Sequence, residues 1–250
     1  MFIAGIFKGF AAYFRAHRVI FKHRLWPYLI LPGLLSVIYI GILITIGGSW
    51  FDDISAYVNA NWIPDALQHQ ATRIITQVLL WILLALLIFI SYKHIILIVF
   101  APILGSLSER TEKLVYGEEP PAFSMSQLFR DLRRGLYINA RGLTLSTTFS
   151  AAAWLLVFVP VAGAIASTLL IFCIQSYYGG AGLIDYALER RRFSYRQSID
   201  FVKQNRGYVL GIGAGFVLLL FIPIIGWFAA PTYGTIAGTL IAMDRLTVDE

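Results

Sequence analysis

The chain has 250 residues, of which 58% are hydrophobic and 14% are charged, and its formal net charge is +6. A soluble domain carries about 25% charged residues, so this composition excludes an ordinary soluble protein. At this length we expect one integral membrane domain without a separate soluble domain. The single cysteine, Cys173, excludes an intrachain disulfide and lies in an apolar run, where we expect it to be buried.

Residues 1–24 predict an amphipathic helix at the membrane interface. Ile6, Phe10 and Phe14 recur every four residues and form an apolar face, while five cations can reach water or lipid phosphate. Lys8 interrupts the apolar stretch, which argues against a cleavable signal peptide. We therefore expect this segment to stay on the mature protein.

Two long uncharged runs predict spanning helices, since about 20 helical residues cross the core of a bilayer. The first span occupies residues 25–51, and an outward-facing amphipathic loop with three aspartates follows at residues 52–73. The second span begins at residue 74, and its apolar continuation to residue 107 is predicted to extend into the cytoplasm.

Two further uncharged stretches, residues 142–184 and 207–243, share the pattern Phe-[Val/Ile]-Pro-[Val/Ile]-x-Gly-x-x-Ala. Each predicts a helical hairpin with a Pro/Gly break where the chain reverses. A basic connector precedes each hairpin, at residues 108–141 and 185–206. Hydropathy leaves open whether each hairpin crosses the bilayer or penetrates it partly. The predicted fold is an all-α polytopic membrane protein with two long spanning helices, two broken hairpins and an N-terminal interfacial helix.

The distribution of positive charge predicts the orientation in the membrane. Of the 20 Lys and Arg residues, only Arg73 lies between the first two spans. The positive-inside rule then puts both termini and both basic connectors in the cytoplasm. The same distribution explains the net charge, so no nucleic-acid partner is expected.

Two glycine pairs, Gly211 with Gly215 and Gly234 with Gly238, have the Gly-x-x-x-Gly spacing that lets helix backbones approach closely in lipid. Packing within one chain is the favoured interpretation. The alternative is an interface between copies in a homo-oligomer.

Lys22, His23 and Arg24, immediately before Leu25 at the start of the first span, form the leading candidate site for an anion. An arginine can hold a tetrahedral oxyanion with two donors, and a helix start adds partial positive charge. The alternative is that these cations set topology and contact the phosphates of membrane lipids.

Arg18, Lys93 and His94 are secondary candidates for an anion pathway. Lys93 and His94 interrupt an apolar stretch, and an ionisable group at membrane depth is a functional hypothesis. The competing interpretation is that Lys93 extends its ammonium group to the cytoplasmic surface.

Enzyme signatures are lacking in the sequence. The four histidines show no metal-ligand spacing, and neither a nucleophile motif nor a phosphate-binding loop is present. No catalytic residue, metal or cofactor is therefore predicted, and any transport would be channel-like or driven by a gradient.

Several short motifs occur in a characteristic order between about residues 5 and 245. They are Ile30-Leu31-Pro32, Ala101-Pro102, Phe158-Val159-Pro160, Asp185-Tyr186, Phe193-Ser194-Tyr195-Arg196 and Ile222-Pro223. In this the chain resembles the CysZ sulfate-transporter family within the etoposide-induced-protein domain family. The resemblance implies an all-helical bacterial inner-membrane protein with partly penetrating hairpins that forms oligomers and takes up sulfate for cysteine synthesis.

One departure from the family bears on specificity. The resemblance implies a sulfate site just before the first long helix, in a Gly-Leu-Arg-Arg-like sequence. Here Arg24 occupies the glycine position, and Trp26 and Pro27 occupy the positions of the arginine pair. Two functions therefore stay open: a permease for sulfate or another small oxyanion, and a non-transporting membrane protein that organises lipids or partner proteins.

Overall fold

The structure, a computed structural model, describes residues 2–64, 69–117, 125–159, 162–222 and 224–247, except for the side chains of residues 83, 86–98 and 125–132. Nine α-helices and one 3-10 turn, and no β-strand, occupy these residues. The helices are α1 (Phe2–Lys22), α2 (Pro27–Asn61), α3 (Gln70–Val99), α4 (Ala101–Tyr116), α5 (Met125–Trp154), α6 (Ala162–Arg190), α7 (Tyr195–Gln204), α8 (Arg206–Leu220) and α9 (Ile225–Leu246).

The all-α membrane fold predicted from the sequence is confirmed. Within the described residues, Pro27–Asn61 and Ala162–Arg190 have the length and apolar character of membrane spans. The chain divides into two compact units, one of residues 1–33 and 94–250 and the other of residues 34–93. The second unit contains most of α2 and α3.

The smaller unit, residues 34–93, exposes much apolar surface. The rings of Phe51 and Trp81 stack with their centroids 4.5 Å apart and join α2 to α3. Large apolar side chains along both helices are exposed, which suits helices that contact lipid. They include Ile38, Ile42, Ile46, Trp50, Ile74 and Val78.

The predicted end of the first span differs from the end of its helix. The span was placed at residues 25–51, but α2 begins at Pro27 and continues through Asp52 and Asp53 to Asn61. Charged residues outside a membrane do not end a helix, and α2 ends three positions before Pro64, which has no N–H to continue it. Much of the predicted loop at residues 52–73 is therefore helical.

The second apolar run is interrupted where a single extended helix was predicted. The backbone breaks at Phe100, with φ −90° and ψ 1°, so α3 ends at Val99 and α4 begins at Ala101. Pro102 lies in the first turn of α4. A proline lacks the N–H that would continue the helix across Phe100, which explains the break.

Both hairpins consist of two packed helices. The 3-10 turn Leu155–Phe158 follows α5, and α6 packs against α5; α8 and α9 also pack together. Pro160 and Pro223, the predicted breaks, lie outside the described residues. At 15 residues α8 is about 22 Å long, which is shorter than the roughly 30 Å core of a bilayer.

The predicted boundaries between connectors and hairpins are not helix boundaries. A single helix, α5, runs through the predicted junction of residues 141 and 142. Likewise, α6 continues to Arg190, and α7 occupies much of the predicted connector at residues 185–206. Charge marks where a helix meets water, whereas hydrogen bonding decides where it ends.

In the larger unit α8 packs against α1, α6 and α9 through glycines. A methyl group on Gly211 would lie 2.1 Å from the carbonyl oxygen of Ile6, and one on Gly180 would lie 2.0 Å from that of Val209. One on Gly238 would lie 2.8 Å from the carbonyl oxygen of Leu183. The glycine pairs singled out in the sequence are therefore used for packing within the chain.

The N-terminal helix α1 is amphipathic, as predicted, and is also an integral part of this unit. Its buried face consists of small residues and one isoleucine, namely Gly5, Gly9, Ala12, Ala16 and Ile20. The hydroxyl of Tyr13 donates a hydrogen bond to the carbonyl oxygen of Ile212 in α8 at 2.7 Å. Of the predicted apolar face, Phe14 is 69% exposed, Phe10 is 39% exposed and Ile6 is half-buried, while Phe7 beside them is 71% exposed. Entry of this face into the membrane interface stays a prediction.

The expectation that Cys173 is buried is wrong. Its side chain is exposed on α6. Because α6 has the length and apolar character of a membrane span, an exposed side chain on it suits contact with lipid.

Candidate functional site

The predicted anion site is the tight turn between α1 and α2. The N–H of His23 donates to the carbonyl of Val19 at 3.0 Å, and the N–H of Leu25 donates to the carbonyl of Ile20 at 2.9 Å. Arg24 has φ 54°. A left-handed residue followed by a bond that spans five residues is the Schellman ending of a helix. Here an arginine occupies the position that usually holds glycine.

Burial fixes this turn in place. Leu25 is 1% exposed, so its side chain anchors the turn and cannot face an anion. Thr232 of α9 donates a hydrogen bond to the carbonyl oxygen of Tyr28 at 2.5 Å and holds the first turn of α2. The side chains that precede Leu25 therefore start from an ordered backbone.

The cations of the turn are available to a ligand. Lys22 and Arg24 are exposed and His23 is half-buried. None of these three side chains makes a hydrogen bond or an ion pair within the described part of the chain. Lys22 and Arg24 are two positions apart and, within the described residues, unpaired, so together they produce a local positive potential that can attract an anion.

The backbone contributes fewer donors than a free helix start would. Pro27 has no N–H, and the N–H groups of Tyr28 and Leu29 donate to the carbonyls of Leu25 and Trp26 at 3.1 and 2.9 Å. The N–H of Leu25 is also engaged. The charge of the side chains, and not open amide groups, must therefore provide most of any attraction for an anion.

The secondary candidates differ in position. Arg18 is exposed and lies one helical turn before Lys22, on the same face of α1. It therefore extends the cationic surface of the turn toward the N-terminus. Lys93 and His94 belong to α3, but their side chains lie outside the described residues.

Two charged networks join distant helices and were not found in the sequence. Arg134 in α5 binds both carboxylate oxygens of Asp185 in α6, and its Nη2 donates to the hydroxyl of Ser198 in α7 at 2.6 Å. Arg15 in α1 pairs with Asp244 in α9. The partners lie 51 and 229 positions apart, so no local pattern reveals them.

The second network includes Tyr116, whose hydroxyl donates to Asp244 at 2.6 Å. Burial raises the pKa of the Asp244 carboxyl, but hydrogen bonds from Arg15 and Tyr116 outweigh it, and the pKa lies below the ordinary value. Burial, followed by the bond to Asp244, raises the pKa of Tyr116. The carboxylate is therefore charged, and the phenol is a neutral donor, at physiological pH.

Described residues of the larger unit line two cavities whose walls do not include the turn. One, of about 400 Å³, lies among α1, α8 and α9, with Lys8, Arg15 and Arg245 in its wall. The other, of about 170 Å³, lies among α5, α6 and α7. The predicted anion site is thus an exposed surface, whereas these cavities are recesses within the bundle.

Comparison with known proteins identifies a family to which this chain is similar. The family described as Sulfate transporter CysZ/Etoposide-induced protein 2.4 matches residues 12–231. Individual proteins called Sulfate transporter CysZ are similar to parts of this chain that differ in length. That of Pseudomonas syringae pv. tomato is 28% identical over 151 residues, which are 60% of this chain and 59% of the relative. That of Pseudomonas aeruginosa is 24% identical over 217 residues, which are 86% of each.

A third relative, from Pseudomonas fluorescens, is 30% identical over 145 residues, which are 57% of each chain. The matched part of this chain thus spans about three fifths of the length of several of these relatives.

Proposed function

Because this chain belongs to the sulfate transporter CysZ/etoposide-induced protein 2.4 family, we propose that it is a membrane permease for sulfate or a similar small oxyanion. The proposed location is the bacterial inner membrane, with both termini in the cytoplasm, where the positive-inside rule puts the basic connectors. Sulfate entry through it would supply sulfur assimilation. The names of its relatives support the choice of sulfate.

The observation that carries the proposal is the pair of exposed cations, Lys22 and Arg24, on an ordered turn without an anionic partner in the described part of the chain. A guanidinium offers two parallel donors to an oxyanion, and an ammonium adds a point charge. His23 supplies a further donor beside them. Arg18, on the same face of α1, would attract the anion toward the turn.

The proposed transport is channel-like or driven by a gradient, since the sequence carries no phosphate-binding loop for ATP. A homo-oligomer and membrane lipids are its proposed partners. The glycine pairs of α8 and α9 are occupied by packing within the chain, so contacts between copies would use other surfaces.

Uptake of labelled sulfate into proteoliposomes tests this function. The double variant Lys22→Gln/Arg24→Gly removes both charges and puts the usual glycine at the left-handed position, so the turn keeps its backbone. A matched control, Arg110→Gln/Arg133→Gln, removes two exposed cations from α4 and α5.

The proposal predicts flux that falls at least tenfold in the first variant and stays near the wild-type level in the control. Equal flux in both variants would refute the assignment to the turn. Flux no higher than in protein-free vesicles, for sulfate and for other small oxyanions, would refute the permease itself.

The exposed phenylalanines of α1 favour a second candidate function, that of a non-transporting protein which organises lipids or partner proteins. Phe7, Phe14 and Phe21 share one exposed side of α1, which suits contact with lipid, and cations flank them. This function predicts a stable partner or a defined set of bound lipids in the purified protein, together with the absence of sulfate flux.

A further inference from the structure

The cavity of about 170 Å³ among α5, α6 and α7 has the chemical character of an anion site. Its wall combines cations, hydroxyl groups and apolar side chains. Its polar lining residues include Arg141, Tyr177, Tyr178, Asp185 and Lys203. A water molecule occupies about 30 Å³ of liquid, so the space suits a small oxyanion with a few waters.

Two exposed cations belong to the wall of this cavity. Arg141 extends from α5, where its guanidinium lies 5.6 Å from the ring centroid of Tyr195. Lys203 extends from the last turn of α7. Neither side chain has a carboxylate partner within the described residues. Stacking on the ring orients the guanidinium but leaves its edge free to donate hydrogen bonds.

The carboxylate in the wall does not cancel this charge. Asp185 accepts hydrogen bonds from Arg134 on both oxygens, at 3.1 and 2.9 Å. Arg134 also lies 3.7 Å from the carboxylate of Glu189. These three residues together carry one negative charge, so the two positive charges of Arg141 and Lys203 leave the region net positive.

Neutral donors are present beside the cations. Tyr177 and Tyr178 both line the cavity, and their rings meet edge to face with centroids 5.4 Å apart. Neither hydroxyl makes a hydrogen bond in the described part of the chain. A phenol can donate to an oxyanion without the cost of separating an existing ion pair.

We infer that this cavity binds a tetrahedral oxyanion, which Arg141 and Lys203 hold by charge and Tyr177 and Tyr178 hold by hydroxyl donation. Apolar neighbours such as Leu145 and Val202 lower the local dielectric and strengthen these interactions. The same chemistry is found in free sulfate and in the phosphate of a lipid headgroup. The inference rests on the proposed function only for the choice of sulfate as the free anion.

Direct binding to the full-length protein in detergent tests this inference. Calorimetry measures the affinity for inorganic sulfate. Native mass spectrometry after delipidation measures how much phosphatidylglycerol stays bound. The test variant is Arg141→Gln/Lys203→Gln. The control, Arg133→Gln/Arg196→Gln, removes two exposed cations from the same two helices at positions outside the cavity. Thermal unfolding of each variant verifies that it is folded.

We expect the test variant to lose roughly a hundredfold in affinity, about tenfold for each charge-assisted contact, while the control stays within about twofold of wild type. The milder variant Tyr177→Phe/Tyr178→Phe keeps both rings, and its affinity for the anion should fall several-fold. Loss of sulfate binding identifies a free-anion site, and loss of phosphatidylglycerol alone identifies a headgroup site.

The two proposed sites are separated by stoichiometry. If both bind sulfate, the wild type binds two ions, and Lys22→Gln/Arg24→Gly and Arg141→Gln/Lys203→Gln each bind one. A wild type that binds one ion, lost only in Arg141→Gln/Lys203→Gln, refutes the turn and supports the cavity. The cavity site is overturned if its variant binds both probes as the control does, or if the wild type binds neither.

Discussion

Arg134 donates two parallel hydrogen bonds to Asp185, from Nη1 to Oδ2 at 3.1 Å and from Nη2 to Oδ1 at 2.9 Å. Asp185 is 4% exposed, so the pair joins α5 to α6 with little competition from water. A buried charge that loses its partner is strongly destabilising, whereas removal of both partners is much less so.

Replacement of one partner should therefore lower the free energy of unfolding more than replacement of both. Arg134→Met leaves the Asp185 carboxylate unpaired and should lower the free energy of unfolding by about 3–5 kcal/mol. Arg134→Met/Asp185→Leu should cost clearly less than the Arg134 variant alone. Denaturant unfolding in detergent measures both, and a double variant less stable than Arg134→Met would contradict a strong pairing.

The Arg15, Tyr116 and Asp244 network predicts a pH dependence. Because the folded pKa of Asp244 lies below its ordinary value of 3.8, the network stabilises the fold above that value and loses its contribution as pH falls through the folded pKa. The melting temperature of the wild type should therefore fall more steeply than that of Asp244→Asn below about pH 4. If the melting temperatures of the two proteins fell in parallel with pH, the network would not be the cause of the pH dependence.

The close approach of α1 and α8 predicts a marked effect of one methyl group. Gly211→Ala places a carbon 2.1 Å from the carbonyl oxygen of Ile6, so the helices must separate, at a cost of about 1–3 kcal/mol or more. Gly41→Ala is the matched control, since no atom lies within 4 Å of the added carbon and alanine favours a helix. Equal thermal stability of the two variants would show that α1 and α8 do not pack as described.

Cys173 provides a test of the depth of the first hairpin. The side chain is exposed on α6, eleven positions after its first residue, so it should face lipid if α6 spans the membrane. A membrane-impermeant maleimide should then label Cys173 slowly in intact membranes and rapidly after denaturation. A cysteine at the exposed position Gln204, in a Cys173→Ala background, is the water-exposed control. Labelling of Cys173 at the rate of this control would contradict a spanning α6.

Hydropathy and helix-breaking residues were sufficient to predict the class of the fold and the presence of two hairpins. They did not give the helix ends, since α2 continues past Asp52 and α5 runs through Arg141. Charge reports where a helix leaves lipid but not where its hydrogen bonding ends. The contact face of α1 was missed for a different reason. Gly5 and Gly9 are weak signals in a hydropathy scan, although their spacing is the one that was recognised at Gly211 and Gly215.

The candidate sites show a similar division. A cluster such as Lys22 and Arg24 is visible in the sequence because its members are adjacent. The left-handed backbone at Arg24 is not visible, since only the hydrogen bond from Leu25 to Ile20 requires it. The cavity near Arg141 and Lys203 depends on three helices, so it could be found only after they were packed together.

The hydrogen bond from Tyr13 to Ile212 joins residues 199 positions apart. During synthesis α1 leaves the ribosome long before α8 exists, so its glycine face has no permanent neighbour while the rest of the protein is made. The order of translation therefore makes packing of α1 against α8 a late event in folding. A chain that stalls before α8 is made would leave the small-residue face of α1 without its partner helix.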